Sequence, residues 1–77
     1  MEVRFTRHAR NRMRHHDWSS DAVAQVVEYA VNGGAAVPDP EHGGLRLEVS
    51  LGGKSVRVAF VIEDGRIVVK SIFPVSR

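Results

Sequence analysis

The chain has 77 residues, a net charge of +2 and no cysteine. This length allows a single domain over residues 1–77, and the missing cysteines exclude both a disulfide framework and thiolate chemistry. No apolar run approaches the roughly 20 residues of a membrane-spanning helix, and the basic start lacks the apolar region of a secretory leader, so a cytoplasmic protein without a membrane partner is expected.

In chain order, Met1–Phe5 reads as a short strand. Thr6 is then a helix N-cap, with a first helix over residues 7–16. Residues 1–16 hold five arginines and three histidines against a single acid, whereas the rest of the chain is net acidic. On that helix Phe5, Ala9 and His16 lie close together, flanked by Met13 on one side and by His8 and Arg12 on the other. Arg7, Arg10 and Arg14 point away. His8 and Arg12 are one turn apart and border the apolar stripe. A titratable imidazole beside a fixed cation suits an anion, most commonly phosphate.

A second helix is expected between Ser19 and Gly33. Val23, Val26, Val27, Ala30 and Val31 follow helical spacing, Ser19 is the N-cap and Asp21 lies in the first turn. Trp18 and Val23 then stand at the two positions of a hydrophobic staple, which gives the tryptophan a structural role. Gly33 and Gly34 stop the helix.

Residues 35–44 are rich in proline and glycine and read as a connector. Three strands follow, Leu45–Leu51, Val56–Ile62 and Ile67–Phe73, joined by two-residue turns at Gly52-Gly53 and Asp64-Gly65. Such turns fix the register. They place Leu47 opposite Val58 and Phe60 opposite Val69, and unbroken alternation then places Val58 opposite Ser71. One face reads Leu45, Leu47, Val49, Val56, Val58, Phe60, Ile62, Ile67, Val69 and Phe73, with Ser71 as its odd polar residue. The apolar helix stripes should pack there. The fold class is therefore α+β, a helical hairpin on one face of an antiparallel sheet.

Two constellations could carry chemistry. The first is His8, Arg12 and Ser71, read either as an acid–base histidine with an anion clamp and an orienting hydroxyl, or as a satisfied polar network that seats the helix. The second is the other sheet face, where Arg46, Arg57 and Lys70 form a basic platform floored by Ala59. It is read as a phosphate-binding surface or as a solvated face with a Glu48–Arg57 ion pair. Val61, Val68 and Ile72 on that face imply a partial cover by a partner, a tail or a second copy. The four histidines, His8, His15, His16 and His42, and the acids show no standard ligand spacing, so neither a metal nor a cofactor is expected.

Phe5-Thr6-Arg7-His8-Ala9-Arg10-Asn11-Arg12-Met13 resembles the opening helix, roughly Y-T-x-H-A-x-x-R-M, of a small bacterial family of RelE-like domains of unknown function. Trp18-Ser19-Ser20-Asp21-Ala22-Val23 resembles its capped second helix. Val68-Val69-Lys70-Ser71-Ile72-Phe73-Pro74 resembles its closing strand. The resemblance implies a RelE/ParE/barnase-like toxin architecture, two helices before a three- to four-stranded sheet, with functional positions at His8, Arg12 and Ser71. It further implies a metal-independent, toxin-type RNA endonuclease or a degenerate relative, held by an antitoxin-like partner or paired as a homodimer. The alternative is a non-catalytic adaptor of the same fold that binds nucleic acid or protein.

Overall fold

The structure is a computed structural model and describes residues 1–75. Its elements are β1 (Val3–Phe5), α1 (Arg7–His15), α2 (Ser20–Asn32), β2 (Val37–Pro38), β3 (Leu45–Leu51), β4 (Lys54–Glu63) and β5 (Arg66–Pro74). They build an α+β fold with one open sheet of order β1-β5-β4-β3-β2. The sheet is antiparallel except where β1 lies parallel to β5.

Local chemistry sets the helix ends. The Thr6 side chain accepts from the Ala9 backbone N–H at 3.2 Å and Ser19 accepts from that of Ala22 at 3.4 Å, so both expected N-caps are present. Asp17 closes α1 in the left-handed region at φ 57°. The Trp18 N–H returns to the Met13 carbonyl at 2.8 Å, which satisfies an end carbonyl. Gly34 does the same for α2, with φ 78° and the Ala35 N–H donating to the Ala30 carbonyl at 3.0 Å.

Both hairpins form at the expected turns. Gly52 and Gly53, and likewise Asp64 and Gly65, all have positive φ, the two-residue geometry that matches strand twist. The register Leu51↔Lys54 through Leu45↔Phe60 follows, as does Glu63↔Arg66 through Phe60↔Val69. Ala9 and Met13 of α1 and Val23 and Val27 of α2 are buried in one core with Leu47, Val56, Val58, Phe60, Ile67 and Val69. Each of these side chains larger than alanine contributes about 1.5–3 kcal/mol on burial. Ile62 faces the same way but lies at the hairpin end and stays 46% exposed.

Two expectations are corrected. The sheet has five strands instead of three or four. The added strand is β2, inside the segment read as connector, where Val37 and Pro38 pair with Arg46 and Leu45. Proline removes a donor, which only an edge position tolerates, and β2 is an edge. The second correction lies in β5. Its register shifts between Ala59 and Phe60, so Phe60 opposes Val69 while Ala59 opposes Ser71, leaving Lys70 as the extra residue of a bulge.

The bulge inverts the faces of the last residues. Ser71 and Phe73 leave the helix-covered face, and Ile72 enters the core with no exposed surface. The physical reason is burial. An isoleucine gains about 1.5–3 kcal/mol there, while a serine hydroxyl without a partner would cost about 1–3 kcal/mol. The bulge is also tied down. The Thr6 N–H donates to the Val69 carbonyl at 3.0 Å, and the Thr6 hydroxyl donates to the Lys70 carbonyl at 3.2 Å. One threonine thus caps α1 and pins its start to the irregular point of β5.

Candidate functional site

The face of the sheet without helices is built by the β3–β4 register. Arg46 lies opposite Ala59 and Glu48 opposite Arg57, and Arg57 Nη2 donates to Glu48 Oε2 at 3.0 Å. The bulge adds Ser71 beside Ala59 and Phe73 beside Arg57. Arg46 and Arg57 are half-buried, and Lys70 is exposed at the bulge. The expected basic platform therefore gains the hydroxyl that alternation had placed on the other side.

Charge is not evenly available on this face. At its β1 end Glu2 takes both Arg4, at 2.9 Å, and Arg66, at 3.1 Å. Those two contacts hold the Glu2 carboxyl below the usual range, with the Arg4 hydrogen bond the largest influence. Among the described residues Arg46 and Lys70 enter no ion pair. Arg57 Nε is buried with no hydrogen-bond partner among the described residues. Uncompensated cationic and donor capacity thus collects toward β3 and the middle of β4.

His8 and Arg12 stand on α1, in the helical layer. His8 is exposed and Arg12 half-buried. No side-chain hydrogen bond joins either to Ser71 among the described residues. The side chain that reaches the neighbouring end of β5 is Thr6. The structure brings Arg46, Arg57 and Ser71 together on one face, with Lys70 at its bulge, and leaves His8 and Arg12 on the helical side.

A group absent from the sequence expectations completes the open face. The loop from β2 to β3 is closed by the Asp39 N–H on the Gly44 carbonyl at 3.0 Å and the Gly43 N–H on the Asp39 carbonyl at 3.1 Å. Gly44 must be glycine. Its φ is +69°, and a Cβ there would meet Val61 Cγ1 at 2.8 Å and the Phe60 carbonyl oxygen at 2.9 Å. Inside the loop, Asp39 is only 6% exposed although it is charged. Its Oδ1 accepts from the backbone N–H groups of Glu41, at 2.9 Å, and His42, at 3.3 Å. Its Oδ2 lies 3.1 Å from His42 Nδ1. Burial pushes the Asp39 carboxyl up, but the two backbone donors and the imidazole outweigh it and hold the carboxyl below its ordinary value.

Asp39, Glu41 and His42 line a notch of about 10 Å³ with Arg46, Arg57, Ala59 and Phe73, room for about one water. The loop thus covers part of the open face, where the sequence implies a partner, a tail or a second copy. The signal for it was Asp39-Pro40-Glu41-His42-Gly43. An aspartate before proline at a turn accepts from backbone two and three residues on, and a histidine at the third position falls within reach.

Among the described residues no three His, Asp or Glu side chains are arranged to hold a metal ion, and no helix is long and apolar enough to cross a membrane. No protein-family model matches the chain, and no curated protein and no solved structure matches it.

Proposed function

We propose that the chain is a toxin-type RNA endonuclease working without a metal, or a degenerate relative of one, and that RNA lies across the open sheet face. The observation that carries this reading is the convergence of Arg46, Arg57 and Ser71 on the face that the helices leave open. Two half-buried guanidinium groups can hold a phosphate in a fixed geometry, Lys70 adds charge at the rim, and a hydroxyl can orient it. The opening-helix resemblance to RelE-like domains supports the same class. An enzyme of that class would act in the cytoplasm, which a cysteine-free chain tolerates. It would be restrained by an antitoxin-like protein or by a second copy, and Val37 and Ile62, each nearly half exposed, offer apolar contact.

Strand scission without a metal needs a base for the 2′-hydroxyl proton and cations for the phosphate oxygens. The base on the sheet face is His42 in the β2–β3 loop, whereas His8, with Arg12 beside it on α1, stands on the helical side. The test is cleavage of an oligoribonucleotide in EDTA, together with binding of its all-2′-deoxy analogue over a salt series. Cleavage should persist with chelator. Arg46→Ala or Lys70→Ala should each reduce the log–log salt slope of binding by about 0.7, the single-strand value per lost phosphate contact. Chelator-sensitive cleavage, or an unchanged slope, would contradict the reading.

The second reading is a non-catalytic adaptor. It is favoured by the Arg57–Glu48 pair, which already neutralises part of the platform in the free protein. Salt-sensitive RNA binding with no cleavage of free or ribosome-bound RNA would establish it.

A further inference from the structure

We propose that His42, fixed by the buried carboxylate of Asp39 beside Arg46 and Arg57, is the general base that takes the 2′-hydroxyl proton in RNA scission. This rests on the endonuclease reading above and specifies its chemistry.

The argument starts at Asp39. A carboxylate with a side chain 4% exposed persists only when its oxygens are occupied. Here two backbone donors take Oδ1 and the His42 ring takes Oδ2. Because an ionised carboxylate only accepts, the hydrogen of a neutral His42 ring must sit on Nδ1. The lone pair is then on Nε2, on the ring edge away from Asp39. The His42 side chain is 59% exposed. One carboxylate thereby sets the tautomer and the orientation of an imidazole that solvent and a substrate can reach. His8 has no such support, since no side-chain hydrogen bond holds its ring among the described residues.

The surroundings suit a phosphodiester. His42 lines its notch together with Arg46, Arg57 and Glu41. A phosphate at the mouth of the notch would meet the cations on the sheet side and the imidazole on the loop side. The ribose 2′-oxygen bonds to phosphorus while its proton passes to Nε2 of His42. The P–O5′ bond breaks, and the departing oxygen takes a proton from water. The resulting hydroxide is neutralised by the imidazolium, which returns His42 to its starting state. The products are a 2′,3′-cyclic phosphate and a 5′-hydroxyl end, with no oxidant or co-reactant required. Asp39 is a positioning residue in this scheme.

The competing account is a loop staple, in which His42 only closes the Asp39 turn. His42→Asn separates the two, because the asparagine amide can still donate to Asp39 but carries no basic nitrogen. Cleavage of a fluorophore–quencher oligoribonucleotide and binding of its all-2′-deoxy analogue are measured for each full-length protein, with folding checked by circular dichroism. In His42→Asn cleavage should fall by about 100-fold or more, with deoxy-oligonucleotide affinity within about twofold of the parent and the fold intact. Asp39→Asn should lower the rate by up to about 10⁴-fold through the wrong tautomer. Histidine ¹⁵N shifts should then show the neutral His42 ring losing its preference for hydrogen at Nδ1.

Equal cleavage by the parent and His42→Asn would overturn the proposal while leaving the endonuclease reading standing, as would loss of cleavage in His8→Ala alone. A parent protein that binds the deoxy analogue but cleaves neither free nor ribosome-bound RNA would overturn both.

Discussion

At the scale of single residues, His16 shows how a histidine can be structural. Its ring stacks on Trp18, with centroids 4.5 Å apart and planes 20° from parallel. Its Nε2 is buried without a hydrogen-bond partner among the described residues. Burial pushes its pKa below the ordinary 6.5, and the charges of His15, Arg12 and Lys54 push the same way. A folded-state pKa below the unfolded one means that the unfolded chain takes up protons first as pH falls. The associated stability is therefore present above the ordinary value and lost below it. Asp39 and Glu2, whose carboxyls are also held low, lose theirs in a more acid window. The melting temperature should fall between about pH 7.5 and about pH 5.5, and His16→Phe, which keeps a stacking ring, should flatten that fall. An equal fall in both proteins would assign the effect elsewhere. The first-helix spacing put His16 on the apolar side of α1, but the Trp18 stack depends on the left-handed turn at Asp17, which no pattern of apolar residues encodes.

At the scale of elements, the bulge in β5 decides which side chains the sheet presents. Ile72 is fully buried and Ser71 half-exposed. Ile72→Ala should cost about 2–5 kcal/mol in urea unfolding, and Ser71→Ala less than about 1 kcal/mol. The reverse order would restore regular alternation and dissolve the open-face site. The two hairpins were legible because Gly52-Gly53 and Asp64-Gly65 admit few turn geometries, and those turns carried the register correctly as far as Val69. Beyond it Lys70 and Ser71 are adjacent polar residues before Ile72 and Phe73, and the odd placement of Ser71 on the apolar face was the one sign of an inserted residue. The stabilising partner of the bulge, Thr6, lies 64 positions away from Lys70. β2 stayed hidden because two residues ending in proline carry no strand periodicity. The parallel pairing of β1 with β5 is a tertiary choice that a three-residue strand does not announce.

At the scale of the whole molecule, two basic surfaces stand on opposite layers. One is the outer side of α1, where Arg7, Arg10 and Arg14 are exposed and Arg10 lies 5.6 Å from the centre of the Phe5 ring. The other is the open sheet face with Arg46, Arg57 and Lys70. Composition made the first conspicuous, since five of the nine arginines fall within sixteen residues. The second needed the register, and its histidine needed the loop. Long-range charge attraction would draw nucleic acid to either surface. Among the described residues only the sheet face combines half-buried cations, a hydroxyl and an oriented imidazole. Backbone amide shift mapping of ¹⁵N-labelled protein with a non-cleavable deoxyoligonucleotide distinguishes the surfaces most directly. The shifts should cluster on Asp39, Glu41, His42, Arg46, Arg57 and Ser71. Shifts confined to Arg7–His15, or no shifts at all, would contradict the placement of the site.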